Sequence, residues 1–225
     1  MQRASALFTN EDRQRVNQAV GSAESRTSAE IVAAVATASG RYDRAEDIVG
    51  LWTSLAALAI CWALWPAALR EPGGWNETSP AWQLVALLLA VVVGFIVGAA
   101  VATHVGWLRR WFTPRKQMRE EVSARARQTF CDRRVYRTTG TSGLLVYISL
   151  FERMATIVAD DAIVEKLGQR SLDELCRELT SQLRGKDPTS ALCSTIEAAG
   201  QRLGACLPRA ADDVNELDDS LVVLD

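Results

Sequence analysis

Two apolar stretches decide the fold: IVGLWTSLAALAICWALWPAAL at positions 48–69 and WQLVALLLAVVVGFIVGAAVATHVGWL at positions 82–108. The first holds no charged residue over 22 positions, and the second none over 27, where His104 is the one ionisable side chain. About 20 consecutive apolar residues let a helix cross a bilayer. All seven tryptophans lie inside or beside these stretches, as in an aromatic belt. The sequence therefore predicts two transmembrane helices, joined into a hairpin by a short polar loop at 70–81.

Basic residues flank the hairpin on both sides. The first span follows Arg41 and Arg44, and the second precedes Arg109, Arg110, Arg115, Lys116 and Arg119. The loop carries one arginine against two glutamates. By the positive-inside rule, both termini are predicted to be cytoplasmic, with the protein integral to the inner membrane. We expect the five cations after the second span to contact anionic lipid headgroups, and an anchor so close disfavours nucleic acid as a partner.

The hairpin divides the rest of the chain unequally. Residues 1–44 offer one helix and one strand, which are too few to bury a core. The predicted organisation is therefore a split cytoplasmic α/β domain, with its first part at 1–44, the hairpin at 45–112, the remainder at 113–208 and an acidic tail at 209–225. Five cysteines without CxxC spacing indicate neither a zinc site nor a disulfide framework.

The soluble segments predict three strands and several helices. The apolar run at 31–36 indicates a strand buried on both faces, and runs at 144–151 and 154–159 indicate a second strand and its hairpin partner. The first two strands are joined by a crossover, so they are predicted to be parallel. Pro114 favours a helix start, and the Ser171–Glu174 stretch resembles a capping box that begins another helix. A fourth strand in the tail is an expectation from its apolar end.

This topology predicts a candidate site at one edge of the sheet. The third strand runs back, so Asp160 and Asp161 emerge beside Glu30, about 20 Å from Glu152 at the opposite edge. Carboxylate oxygens suit a hard cation, so calcium or magnesium is the cofactor to consider, although none is certain. An anion site is predicted beside it, at Arg137, Thr139 and Thr141. In the alternative interpretation, Asp160 or Asp161 only caps a helix.

Several stretches together resemble the TPM domain in its bacterial form with two membrane spans. They are Ala29-Glu30-Ile31-Val32, the run from Thr139 to Val146, Glu152-Arg153, Ala159-Asp160-Asp161 and Asn215-Glu216-Leu217. The resemblance covers nearly the whole chain and implies an α/β/α sandwich around a small mixed sheet. It also implies acid phosphatase activity and calcium binding, which are reported for some relatives. This chain departs from the soluble members where Asp160-Asp161 replaces a Gly-x-Gly stretch.

Two functions follow as hypotheses. The first is a membrane-anchored module with a regulatory, assembly or protein-interaction role, whose partner is an unidentified membrane protein or a second copy. The second is a divalent-metal-dependent phosphatase at the cytoplasmic face, an enzyme assignment that rests on family resemblance. His104, within the second apolar stretch, is the only histidine, so the sequence predicts neither a Ser-His-Asp triad nor a multi-histidine metal site within one chain.

Overall fold

The computed structural model describes residues 3–40, 42–64, 80–105, 110–138, 142–185, 187–210, 215–217 and 219–225. The chain forms two compact units. Met1–Gly40 and Arg115–Asp225 make up the first, which we call the sheet unit, and Arg41–Pro114 make up the second, the hairpin unit. Sequence segments on both sides of the hairpin therefore contribute to the same sheet and the same core.

The sheet unit is built on four strands in the order β3-β2-β1-β4. Their bounds are β1 Glu30–Ala36, β2 Gly143–Ser149, β3 Met154–Ala159 and β4 Val222–Leu224. Strand β1 pairs in parallel with β2 and β4, and β2 pairs with β3 in antiparallel fashion. The parallel β1–β2 crossover, the β2–β3 hairpin and the strand at the end of the tail are thus confirmed. The sheet is small and mixed.

Helices make up most of the remaining chain. They are α1 Ala4–Leu7, α2 Asn10–Glu24, α3 Asp43–Leu64, α4 Pro80–His104, α5 Arg115–Asp132, α6 Asp161–Leu167, α7 Gln169–Gln182 and α8 Pro188–Cys206. Helix α5 begins directly after Pro114, as predicted. The predicted start at Ser171 is wrong, because α7 already begins at Gln169. Gly168, which has a positive φ of 81°, separates α7 from α6 and occupies the N-cap position of α7. Ser171 therefore lies inside α7.

Both faces of the sheet are covered, which explains the unbroken apolar run in β1. Side chains alternate along a strand, so Ile31 and Val35 face one way while Val32 and Ala34 face the other. The first pair packs in a core with α2, α7 and α8, and the second pair packs under α5. Every residue of β1 and β2 is buried. The sheet therefore lies between two helical layers.

Helices α3 and α4 pack against each other through small residues. Thr53 donates a hydrogen bond from Oγ1 to the carbonyl of Gly94 over 2.8 Å. A Cβ atom added at Gly98 would lie 1.8 Å from Thr53 Oγ1, so only glycine fits this crossing. Such close approach through small residues and threonine hydrogen bonds is typical of helices that associate in lipid.

Two helical segments, Glu46–Leu64 and Ala81–His104, are long and apolar enough to cross a membrane. Large apolar side chains point outward along both of them, among them Trp52, Leu84 and Ile96. Both helices begin before the predicted starts of the spans at 48 and 82, since α4 begins at Pro80 and α3 begins at Asp43 and contains Glu46 and Asp47. Acidic side chains near a helix N-terminus interact favourably with its dipole, so α3 extends beyond the apolar run. The predicted ends of the spans at 69 and 108 lie outside the described residues. Residues 65–79 and 106–109 lie outside the described part.

Candidate functional site

The amino edge of the parallel strands brings Glu30 and Asp160 to the same side of the sheet. Glu30 of β1 is in register with Gly143 of β2. The amide of Asp160 donates to the carbonyl of Gly143 over 2.9 Å, and Asp160 Oδ2 accepts from the amide of Gly143 over 3.4 Å. The prediction that Asp160 and Glu30 share an edge is confirmed, since both flank the first residue of β2.

The structure does not assemble Asp160, Asp161 and Glu30 into a metal site. Within the described ranges, no group of three His, Cys, Asp or Glu side chains could hold a metal ion. Asp160 occupies the position before α6, but its side chain makes no capping bond and turns to Gly143 instead. Burial raises the pKa of Asp160, and the neighbouring charge of Asp161 adds to this effect. Asp160, Asp161 and Glu30 are thus not arranged as the carboxylate ligands of one calcium or magnesium ion.

Glu30 belongs instead to an acidic cluster that we define as Glu24, Glu30, Asn215 and Asp219. Glu24 Oε1 accepts from the amide of Ile31 over 2.8 Å, and Glu30 Oε1 accepts from the amide of Glu216 over 3.1 Å. Asn215 Nδ2 donates to Asp219 Oδ1 over 2.7 Å and reaches Glu24 Oε2 at 3.4 Å. The cluster therefore holds the tail segment against the end of α2 and the start of β1.

Glu24 has an unusually high pKa for a carboxylic acid. Only 8% of its surface is exposed. Burial raises the pKa of Glu24 to about 8, and the charges of Glu30 and Asp219 push it in the same direction, against the hydrogen bond from Ile31. Glu24 is thus protonated near neutral pH. Sequence reasoning missed this group, because Glu24 lies 191 positions from Asn215 and no local pattern joins them.

The predicted anion site is described only at its margin. Arg137 is exposed, and its amide donates to the carbonyl of Arg134 over 2.8 Å. Thr138 Oγ1 accepts from the amide of Ser142 over 2.9 Å, which closes the loop between α5 and β2. Thr139 and Thr141 lie outside the described residues, so anion binding there stays a prediction.

Three of the five residues predicted to contact lipid headgroups are exposed. Arg115, Lys116 and Arg119 are all exposed at the start of α5. Lys116 Nζ lies 4.0 Å from Glu120 Oε1, an exposed pair that contributes little to stability. Arg110 is half-buried, and Arg109 lies outside the described residues. Contact with headgroups remains a prediction.

The carboxyl edge of the same strands holds a buried polar network that we call the Glu152 clamp: Ser39, Gly40, Tyr147, Ser149 and Glu152. Only 1% of Glu152 is exposed. Its Oε1 accepts from the amides of Ser39 over 2.9 Å and Gly40 over 3.3 Å, and its Oε2 accepts from the hydroxyl of Ser149. Ser39 Oγ donates to Ser149 Oγ over 2.8 Å and lies 3.0 Å from the Tyr147 hydroxyl. Because the Ser39 proton points to Ser149, the Tyr147 hydroxyl donates to Ser39.

The Glu152 clamp fixes the point where the chain leaves the sheet towards the hairpin unit. Ser39 and Gly40 are the last described residues before Tyr42, and β1 ends at Ala36. A Cβ atom at Gly40 would lie 2.8 Å from Cγ of Glu121, so α5 also closes over this exit. Topology alone predicted that Glu152 lies at the same edge as the end of β1; its hydrogen bonds to Ser39 and Gly40 confirm this.

No protein-family model matches the chain, and no curated protein sequence matches it significantly. The structure is similar to the NMR structure of the BA42 protein from the psychrophilic bacterium Bizionia argentinensis sp. nov.. The match covers 99% of each chain at 15% sequence identity, with a TM-score of 0.58. At that identity the likeness concerns the fold alone.

Proposed function

We propose that this chain is a membrane-anchored module with a TPM-like fold, which acts through a regulatory, assembly or protein-interaction role. One observation supports it above all. The buried carboxyl groups at both edges of the sheet, those of Glu152, Glu24 and Glu30, accept hydrogen bonds from backbone amides. Carboxyl groups bound in this way stabilise the fold and are poorly placed to act on a substrate. The arrangement favours a scaffold that presents surfaces to a membrane partner or a second copy.

The anchor follows from the hairpin unit. Two helices have the length and apolar surface of membrane spans, and Thr53 and the glycines of α4 pack them closely together. With arginines before the first span and after the second, the positive-inside rule places both termini in the cytoplasm and the protein in the inner membrane. Exposed Arg115, Lys116 and Arg119 would then meet anionic lipid headgroups.

Reporter fusions test this orientation. Alkaline phosphatase, which is active only outside the cytoplasm, should be inactive when fused after Asp225, and green fluorescent protein at the same position should fluoresce. The control is an insertion of each reporter after Gly74 in the loop between the spans, where the results should be reversed. The physical reason is the excess of arginine beside the ends of the spans. An active phosphatase fused after Asp225 contradicts the orientation.

A phosphatase is the second candidate, which the raised pKa of Asp160 and the family resemblance favour. We expect the detergent-purified protein to hydrolyse p-nitrophenyl phosphate no faster than the Asp160→Ala/Asp161→Ala variant, with or without added calcium or magnesium. The matched control is Glu165→Ala, an exposed carboxylate on the same helix α6. Metal-stimulated hydrolysis that the double variant loses and the control keeps would establish the enzyme and overturn the non-catalytic proposal.

A further inference from the structure

Helix α5 carries a polar stripe on the flank that faces β4. Arg125 and Thr129 lie four residues apart on one side of α5, and Arg133 follows directly after the helix ends at Asp132. The amide of Arg133 still donates to the carbonyl of Thr129 over 2.9 Å, which keeps Arg133 beside the other two. Together with Asp132 and Leu224, they line a cleft with a volume of about 320 Å³. Thr129 is buried, with 3% of its surface exposed, and Arg125 is half-buried. Asp132 and Arg133 are exposed at the rim, so the stripe lines a concave site that is open to solvent on one side.

The two arginines of this cleft form no salt bridge with the residues that the structure describes. Across the described ranges, no carboxylate lies within 4.0 Å of the guanidinium of Arg125 or Arg133. Arg125 Nη1 donates to Gln128 Oε1 over 3.0 Å, which orients the guanidinium and leaves its other N–H groups available. The Thr129 hydroxyl donates to the carbonyl of Arg125 over 2.8 Å, so its own proton is committed to the helix.

We propose that this cleft binds the phosphate group of a phosphate monoester, held between Arg125 and Arg133. Guanidinium groups match phosphate oxygens with paired hydrogen bonds. The half-burial of Arg125 strengthens its hydrogen bonds by lowering the surrounding dielectric, while Arg133 is exposed at the mouth of the cleft. The volume holds a phosphate together with a small substituent. Asp132, exposed at the rim, would meet an amine or hydroxyl of that substituent. The monoester can come from a soluble metabolite or from a lipid headgroup, and the two sources share this chemistry.

The ring of Tyr147 can report whether the cleft is occupied. Burial raises the pKa of Tyr147, and the positive charge of Arg125 opposes that rise. An anion bound at Arg125 would cancel part of this charge and change the electronic environment of the Tyr147 ring. The Tyr147 hydroxyl belongs to the Glu152 clamp. An anion in the cleft would therefore change the electrostatic environment of a buried side chain in the sheet unit. A ring signal from Tyr147 thus distinguishes binding in the cleft from loose attraction to exposed arginines.

The test is a titration of the full-length protein in a neutral detergent with phosphoethanolamine, followed by NMR of ¹³C-labelled tyrosine. The Tyr147 ring resonance should shift with a saturable profile, and the Arg125→Gln/Arg133→Gln variant should bind at least about tenfold more weakly. The matched control, Arg26→Gln/Arg127→Gln, removes two exposed arginines outside the cleft and should bind within about twofold of wild type.

A second arm identifies the source of the phosphate. Nanodiscs containing a phosphoinositide replace the soluble ester, with phosphatidylcholine nanodiscs as the blank. A Tyr147 shift with the ester establishes a soluble ligand, and a shift only with the phosphoinositide establishes a headgroup; both support the site. Equal binding by the Arg125→Gln/Arg133→Gln variant, or no saturable Tyr147 shift with either probe, overturns it.

Discussion

Replacing Glu152 by alanine is expected to lower the free energy of unfolding of the sheet unit by about 3 kcal/mol or more. The substitution removes the acceptor of two backbone amides, from Ser39 and Gly40, and of the Ser149 hydroxyl. These three donors surround the side chain of Glu152, of which only 1% is exposed. Water therefore cannot replace the lost acceptor unless the edge of the sheet opens. A buried donor left without an acceptor is costly, and this substitution leaves three of them.

The measurement is thermal unfolding of the full-length protein in detergent. A loss of this size should lower Tm by roughly 8 °C in a unit of this length. Glu152→Gln retains one carbonyl acceptor for the amides and should fall between alanine and wild type. The control Glu120→Ala removes an exposed carboxylate from α5 and should change Tm by less than about 2 °C. A Glu152→Ala variant as stable as the control would show that the clamp does not hold the exit from β1.

Raising the pH from about 5 to 8 is expected to destabilise the sheet unit through Glu24. Its folded pKa is about 8 against an ordinary value of 4.5, so the native state holds a proton that the unfolded chain has released. A group with a raised folded pKa contributes stability that is fully present below pH 4.5 and is lost as the pH rises through about 8. A shift of this size corresponds to a loss on the order of 4 kcal/mol over the window.

The charged groups next to Glu24 indicate which segment of the chain should lose stability. Glu30 from β1 and Asp219 from the tail are the charged groups that raise its pKa, and ionised Glu24 would repel both. Hydrogen exchange at 215–224 should therefore accelerate between pH 6 and 8 beyond the ordinary chemical rate. Asp12 and Asp225 have lowered pKa values, so their contributions change below pH 4 and do not enter this window.

Glu24→Gln isolates the effect, because its amide oxygen can still accept from the amide of Ile31 and the side chain does not titrate. Its Nε2 group cannot accept from Asn215, so this variant loses the long contact of 3.4 Å at every pH. This variant should have an unfolding free energy that is nearly independent of pH between 5 and 8, measured by urea unfolding in detergent. The control is Glu165→Gln, an exposed carboxylate on α6 that should retain the wild-type pH dependence. If wild type and Glu24→Gln lose stability equally over this interval, the buried proton is not located on Glu24.

Local patterns in the sequence were enough to predict the framework. Apolar length predicted the hairpin, a doubly buried run predicted β1, and the crossover rule predicted its parallel pairing with β2. From those elements it followed that Glu152 and Asp160 lie at opposite edges of the sheet, as observed. These properties depend on periodicity, chain length and handedness, which neighbouring residues encode by themselves.

Tertiary structure alone decided which polar side chains meet. Glu24 lies beside Asn215 and Asp219, Glu152 accepts a hydrogen bond from Ser39, and Arg125 lines a cleft with Leu224. The partners in each case are many tens of positions apart in the sequence. Strand topology predicted that Asp160 and Asp161 lie beside Glu30 as metal ligands, whereas the side chain of Asp160 accepts a hydrogen bond from the amide of Gly143. Burial and electrostatic coupling depend on which surfaces the folded chain brings together. A single polar residue belongs to no periodic sequence pattern, so its neighbours in the folded structure cannot be predicted from the sequence around it.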